Sequence, residues 1–151
     1  MRPGPARPMQ LALAAARQAG ERGEVPVGAV VVDAAGEVLA VAHNEVETQS
    51  DPTAHAEILA LRAAGRRQGT PRLTDCDLYV TLEPCPMCAQ AIAFARIRRL
   101  YFGAADPKGG GVEHGARIFA AASCHHRPEV IGGIRETEAA ALLRDFFKAR
   151  R

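Results

Sequence analysis

Tryptophan is absent from this chain, and Phe and Tyr together supply only seven of its 151 residues. A core made without large rings must be filled by Ala, Val, Ile and Leu, which suits strands covered by Ala-rich helices. No apolar run approaches the ~20 residues that a membrane span requires. Charge of one sign is also missing: nineteen basic and seventeen acidic residues leave a net +2. That balance is too even to announce nucleic-acid binding by itself. No internal repeat and no Gly/Ser- or Pro-rich linker divides the chain, whose length is that of one domain, residues 1–151. A domain of this size buries roughly 68–70% of its unfolded surface and needs no disulfide to hold its core.

The basic residues are Arg almost to the exclusion of Lys, and they cluster. Arg62, Arg66, Arg67 and Arg72 fall in one stretch, Arg96, Arg98 and Arg99 in another, and Arg150 and Arg151 close the chain. Such clusters can track phosphates, although solvated helix faces would look the same. Near the N-terminus, Arg2 and Arg7 precede the apolar run Met9 to Ala16, as in a signal peptide. The run is short, crowded by Pro3, Pro5 and Pro8, and reads equally well as an amphipathic helix. The expectation is a soluble, cytoplasmic protein with no membrane partner.

Residue patterning predicts a helix over Met9–Gly20, a buried strand over Val25–Val32 and a returning strand over Val38–Ala42. A polar loop follows from His43 to Ser50. Asp51 as N-cap and Pro52 at the first helical position predict a second helix ending near Gly65. Strands are expected at Leu78–Thr81, Leu100–Phe102 and Glu129–Ile131, and helices at Ala89–Ala95 and Thr137–Arg150. The last should bury Leu142, Leu143, Phe146 and Phe147. Val112 to Ala122 has weak helical character. Strands alternating with helices indicate an α/β fold, a three-layer α/β/α sandwich. The opening hairpin makes its five-stranded sheet mixed.

Two short segments carry chemistry, His55-Ala-Glu57 and Pro84-Cys-Pro-Met-Cys88. Cys85 and Cys88 stand i, i+3 at the start of a helix, so both sulfurs face the same way, and a helix N-terminus favours the metal-binding thiolate. His55 is expected in the first turn of its own helix. If both N-termini point at one spot, three soft or borderline ligands converge and suit Zn²⁺. Glu57 lies about 200° around a regular helix from His55, so both reach one metal only if it sits beyond the helix end. An open fourth position with a carboxylate beside it is a hydrolytic site. Taken alone, Cys-x-x-Cys also fits a redox pair or half of a structural zinc cluster. The H-x-E…P-C-x-x-C combination is the zinc deaminase signature. Cys124, His125 and His126 lack a spaced partner pair, which favours core and loop roles over a second metal cluster.

Beyond these motifs, Asp51-Pro-Thr-Ala-His-Ala-Glu-Ile58, Thr81-Leu-Glu-Pro-Cys-Pro-Met-Cys88 and Glu24-Val-Pro-Val-Gly-Ala29 resemble the bacterial tRNA-specific adenosine deaminases (the TadA family), among the cytidine-deaminase-like enzymes. Phe102-Gly-Ala with Asp106 and Lys108, His126-Arg-Pro-Glu-Val130 and Asp145-Phe-Phe147 are similar too, so the resemblance spans nearly the whole chain from Met9. It implies one Zn²⁺ per chain on His55, Cys85 and Cys88, with Glu57 as proton shuttle. It also implies that Asn44 hydrogen-bonds a flipped base, that Asp106 lies near the target nucleotide's backbone, that Lys108 binds the tRNA substrate, and that Arg150 and Arg151 approach an anticodon stem-loop. The implied reaction is adenosine to inosine at the wobble base of a tRNA, by a homodimer. A deaminase of a free nucleobase or nucleotide, or a structural zinc module, are the alternatives. Gly109 to His125 departs from the family's pattern.

Overall fold

The computed structural model describes residues 6–150. Five strands form one mixed sheet in the order β2-β1-β3-β4-β5. The strands are β1 (Gly28–Val32), β2 (Val38–His43), β3 (Asp77–Leu82), β4 (Arg99–Ala104) and β5 (Glu129–Ile131). β1 runs antiparallel to both β2 and β3, whereas β3, β4 and β5 are parallel. Helices α1 (Ala6–Glu21) and α5 (Glu136–Ala149) cover one face; α3 (Ala56–Gln68) and α4 (Pro86–Phe94) cover the other. The expected α/β/α sandwich is what the chain forms. Among the described residues, no helix is long and apolar enough to cross a membrane.

Strand alternation divides the core. Ala29, Val31, Leu78, Val80, Leu100 and Phe102 pack with Ala56, Ala60, Ala89 and Ile92 of α3 and α4. Val30, Val32, Tyr79 and Tyr101 face Met9, Ala12 and Leu13 of α1 and Ala139 of α5. Both tyrosines of the chain lie in this layer and stack with ring centroids 4.4 Å apart. Small residues let the layers approach closely. A Cβ on Gly28 would lie 1.9 Å from the carbonyl oxygen of Ala12, so α1 rests directly on β1 because that position has no side chain.

Several boundaries differ from expectation for local reasons. β1 begins at Gly28 rather than Val25. Pro26 has no N–H for a ladder, and the Val25 carbonyl is engaged by the Val27 N–H and by Asn44. Asp51 does not cap a helix. Its Oδ1 accepts the N–H and the hydroxyl of Thr53, both at 2.8 Å, closing a turn that delays α3 until Ala56. The loop from His43 to Ser50 contains a one-turn helix, α2 (Val46–Gln49). Val112 to Ala122 holds only a single 3₁₀ turn, Ile118–Ala120. Phe147 is not buried by α5 but is 47% exposed, while Leu143 packs on the α3/α4 side and Leu142 on the α1 side.

Candidate metal centre and substrate pocket

The carboxyl ends of parallel strands β3 and β4 and the N-termini of α3 and α4 meet at one place. His55 is the residue before α3, in an extended conformation (φ −74°, ψ 151°), and Cys85 stands likewise before α4 (φ −71°, ψ 172°). His55 therefore lies just outside the helix that carries Glu57, and the opposition of positions i and i+2 no longer separates them. Pro86 occupies the first turn of α4, where its missing N–H costs nothing. Cys88 follows within that turn and is fully buried.

His55 Nδ1 lies 3.6 Å from Cys85 Sγ and 3.4 Å from Cys88 Sγ. All three donor atoms fall within 4.8 Å of one another, a set able to hold a metal ion. A tetrahedral zinc with ordinary bond lengths to sulfur and nitrogen places such ligands about 3.6 Å apart, so size and donor chemistry both fit. The two thiols are hydrogen-bonded to each other. The Cys88 thiol donates to Cys85 and, against the effect of burial and with His55 alongside, draws Cys85 down to about 4. Cys88 is pushed far up by that same contact and by burial. The hydrogen bond with Cys85 raises His55. His55, Cys85 and Cys88 would hold a zinc ion through Nδ1 and the two sulfurs, each ligand giving up its proton to do so.

Glu57 is not among the three donors. It is 4% exposed, approaches the Cys88 thiol, and is pushed up by burial to about 7. His55, Glu57 and Cys85 line a cavity of about 610 Å³, within the size range of small-molecule sites. Asn44, Asp106 and Arg150 line it as well. Asn44 Oδ1 accepts the Ala56 N–H at 2.9 Å, and Nδ2 donates to the Val25 carbonyl at 3.2 Å. The Arg150 guanidinium stacks 3.5 Å from the centre of the Phe146 ring, another residue of the wall. Lys108 is exposed on the loop after β4 and is not part of the lining; Arg151 lies outside the described residues.

Two carboxylates of the wall were not anticipated from sequence. Glu24 accepts the N–H groups of Glu47 and Thr48 and the Thr48 hydroxyl, and so serves as the N-terminal cap of α2. Burial pushes against its charge, but these hydrogen bonds hold it below the usual carboxylate range. Glu83, two residues before Cys85, is buried under five N–H donors. A lone Glu gives no sign in sequence that it will be buried. Cys124 and His126 prove structural: the Cys124 thiol donates to the His126 carbonyl, and His126 Nε2 donates to the Ile97 carbonyl at 2.6 Å. Another hollow, about 640 Å³, lies between α3 and α4 and contains none of these groups.

A mixed sheet between two helical layers, with a partly buried His-Cys-Cys set at two helix N-termini beside a buried carboxyl group, defines the class of zinc-dependent deaminase folds. The sequence model of the cytidine and deoxycytidylate deaminase zinc-binding region matches residues 5–104, and the chain belongs to that family. It is 57% identical over 143 residues to a tRNA-specific adenosine deaminase of Agrobacterium fabrum, covering 95% of this chain and 93% of that one. A structure solved in studies of A-to-I editing by tRNA:A34 deaminases at the wobble position of transfer RNA superposes with a TM-score of 0.90. That chain is 56% identical, with 91% of this chain and 99% of that chain covered. A guanine deaminase of Nitrosomonas europaea shares the fold at 25% identity and a TM-score of 0.81, over 95% and 84% of the two chains.

Proposed function

We propose that this protein hydrolyses adenosine to inosine at the wobble position of a tRNA anticodon, releasing ammonia. The observation that carries the reading is the buried Glu57 carboxyl beside a three-donor, not four-donor, metal set at the wall of a base-sized cavity. A fourth protein donor would close the coordination sphere and leave a structural module. High identity to the Agrobacterium fabrum enzyme over nearly all of both chains supports the choice of an RNA adenosine over a free base.

On this reading His55 Nδ1, Cys85 Sγ and Cys88 Sγ hold one zinc. When bound, zinc acts as a Lewis acid that lowers the pKa of water to about 7. Glu57 accepts a proton from the attacking water and delivers it to adenine N1. It then takes the proton left on the oxygen now bonded to C6 and passes it to the departing amine, so that the C6–N bond breaks, ammonia leaves and the C6 carbonyl of inosine forms. Its burial keeps the carboxyl ready to hold and release protons near neutrality. One Asn44 Nδ2 hydrogen is taken by Val25 and the other remains for a ring nitrogen of the flipped base. Phe146, backed by Arg150, offers a face on which a loop base can stack.

The functional unit is a homodimer on the α3/α4 face, where Ile58, Leu61, Ala91 and Phe94 line the second hollow and Phe94 is 68% exposed. A ring so exposed in a chain with so few of them suits burial against a second copy. Incubating the holoenzyme with an anticodon stem-loop and, separately, with adenosine, cytidine and guanine tests the reading. Inosine should form in the stem-loop alone; equal turnover of a free base or nucleoside overturns the RNA assignment.

A further inference from the structure

Glu83 leaves β3 two residues before Cys85, yet its carboxylate serves a distant segment. Oε1 accepts the Asp106 N–H at 3.0 Å and His114 Nδ1 at 2.7 Å. Oε2 accepts the N–H groups of Val112 at 3.2 Å and of Glu113 and His114 at 2.9 Å. The Glu83 side chain has no exposed surface. A buried carboxylate is tolerable only when donors surround it, and here all five come from residues 106–114.

The same loop is pressed onto the turn that presents Cys85. The Gly111 N–H donates to the Pro84 carbonyl at 2.8 Å. A Cβ on Gly111 would come within 2.5 Å of Pro86 N, and one on Gly110 within 2.5 Å of Glu83 Oε2. No side chain fits between the loop and this turn, so the glycines of the departing segment permit the contact. One carboxylate thereby ties the wall that carries Cys85 to the loop that carries Asp106 and Gly109, both on the cavity lining.

We propose that Glu83, with His114 as its side-chain partner, is a positioning residue that sets the Asp106–Gly109 wall against the metal centre and so governs how an RNA loop is held. This rests on the deaminase reading of the same cavity. Glu83 touches neither the donor set nor the reacting atoms in that reading; it acts through the loop.

The test compares wild-type holoenzyme with Glu83→Gln and His114→Ala. Glutamine has the same shape but turns an NH₂ toward backbone donors and should release the loop. The expected result is retained zinc, kcat within about threefold, and KM for an anticodon stem-loop raised roughly tenfold. Amide exchange at Asp106, Val112, Glu113 and His114 should quicken by about the same factor. His114→Ala should move KM and exchange in the same direction by less. Unchanged KM and exchange overturn the proposal. So does loss of zinc and kcat at constant KM, which would make Glu83 a brace for the Cys85 turn. If Glu83→Gln does not fold, His114→Ala decides by the same criteria. Should wild-type protein turn over only free nucleosides, the substrate reading has failed, and amide exchange alone decides the anchorage.

Discussion

Asn44 Oδ1 accepts the backbone N–H of Ala56 at 2.9 Å, so a residue just past the end of β2 caps the helix that begins beside His55. His55 occupies the N-cap position but makes no capping bond with its own side chain. The imidazole is left free to face the thiols, and the cap is supplied from twelve residues upstream. Asn44 thus combines a structural bond with the base contact proposed above.

That double role separates two variants. Asn44→Ala should lower stability by about 1 kcal/mol, the usual value of a lost cap, and reduce turnover as well. Asn44→Asp keeps the cap on Ala56 but loses the Nδ2 bond to the Val25 carbonyl as well as the donor to the base, so it should retain the cap's share of stability yet deaminate poorly. Thermal denaturation and a stem-loop assay on both proteins check this. Full activity in Asn44→Asp would remove the base contact.

On the proposed assignment Glu57 carries protons and does not bind zinc. Glu57→Gln should retain about one zinc per chain, as a three-ligand site predicts, while kcat drops by a factor of roughly 10²–10⁴. Metal content by atomic emission and single-turnover rates give the answer. Loss of zinc in this variant would place Glu57 among the ligands.

Glu24 makes a pH-dependent contribution whose sign follows from its depressed folded value. An unfolded carboxyl titrates near 4.5, and the folded one lies lower because Glu47 and Thr48 donate to it. Its stabilisation is therefore complete above pH 4.5 and is lost as pH falls through the folded value. Urea midpoints of wild type and Glu24→Gln should differ most near neutrality and converge in acid. The zinc site's own pH dependence is common to both proteins and drops out of the difference. A gap independent of pH would detach Glu24's charge from the effect.

Glu24 and Asn44 also show what sequence could and could not convey. The sandwich was legible because alternation and helical periodicity are local. The Cys85–Cys88 pair was legible too, because its i, i+3 spacing is local, whereas His55, 30 residues upstream, joins them only through the fold. Helix starts are less legible: Asp51 stands where a local cap would, yet α3 is capped by Asn44 and α2 by Glu24, over 12 and 24 residues. The Val112–Ala122 segment does not run as a helix because Gly115 (φ 59°) and Arg117 (φ 43°) take left-handed conformations within it. Phe147 is apolar by composition, but only its place on α5 relative to Phe146 decides which ring turns inward.

The proposed dimer face can be broken without touching the cavity. Phe94 is the last residue of α4 and is absent from the pocket that His55 and Glu57 line. Phe94→Glu would place a charge where a second copy should exclude water, and sedimentation should shift from dimer to monomer at micromolar concentration. Zinc content should stay unchanged. A wild-type protein that sediments as an active monomer would dispose of the dimer.

The substrate class makes its own prediction through salt. An anticodon stem-loop presents phosphates, so Lys and Arg contacts should release counterions and binding should weaken steeply as salt rises. Lys108 is exposed on the loop after β4, and replacing it with Ala should lower the slope of log affinity against log salt by about one. Arg150 is less simple, because its guanidinium also stacks on Phe146 and donates to the Phe146 carbonyl at 3.2 Å. Arg150→Lys keeps the charge but loses the planar stack, so it should retain the slope and weaken binding at every salt concentration. Arg150→Ala should lose both. Free adenosine carries no phosphate, so any slow deamination of it should vary little with salt. Fluorescence anisotropy of a labelled stem-loop across a salt series measures these slopes directly. A flat slope for wild-type protein would mean that phosphates are not recognised and that the cavity serves a free base.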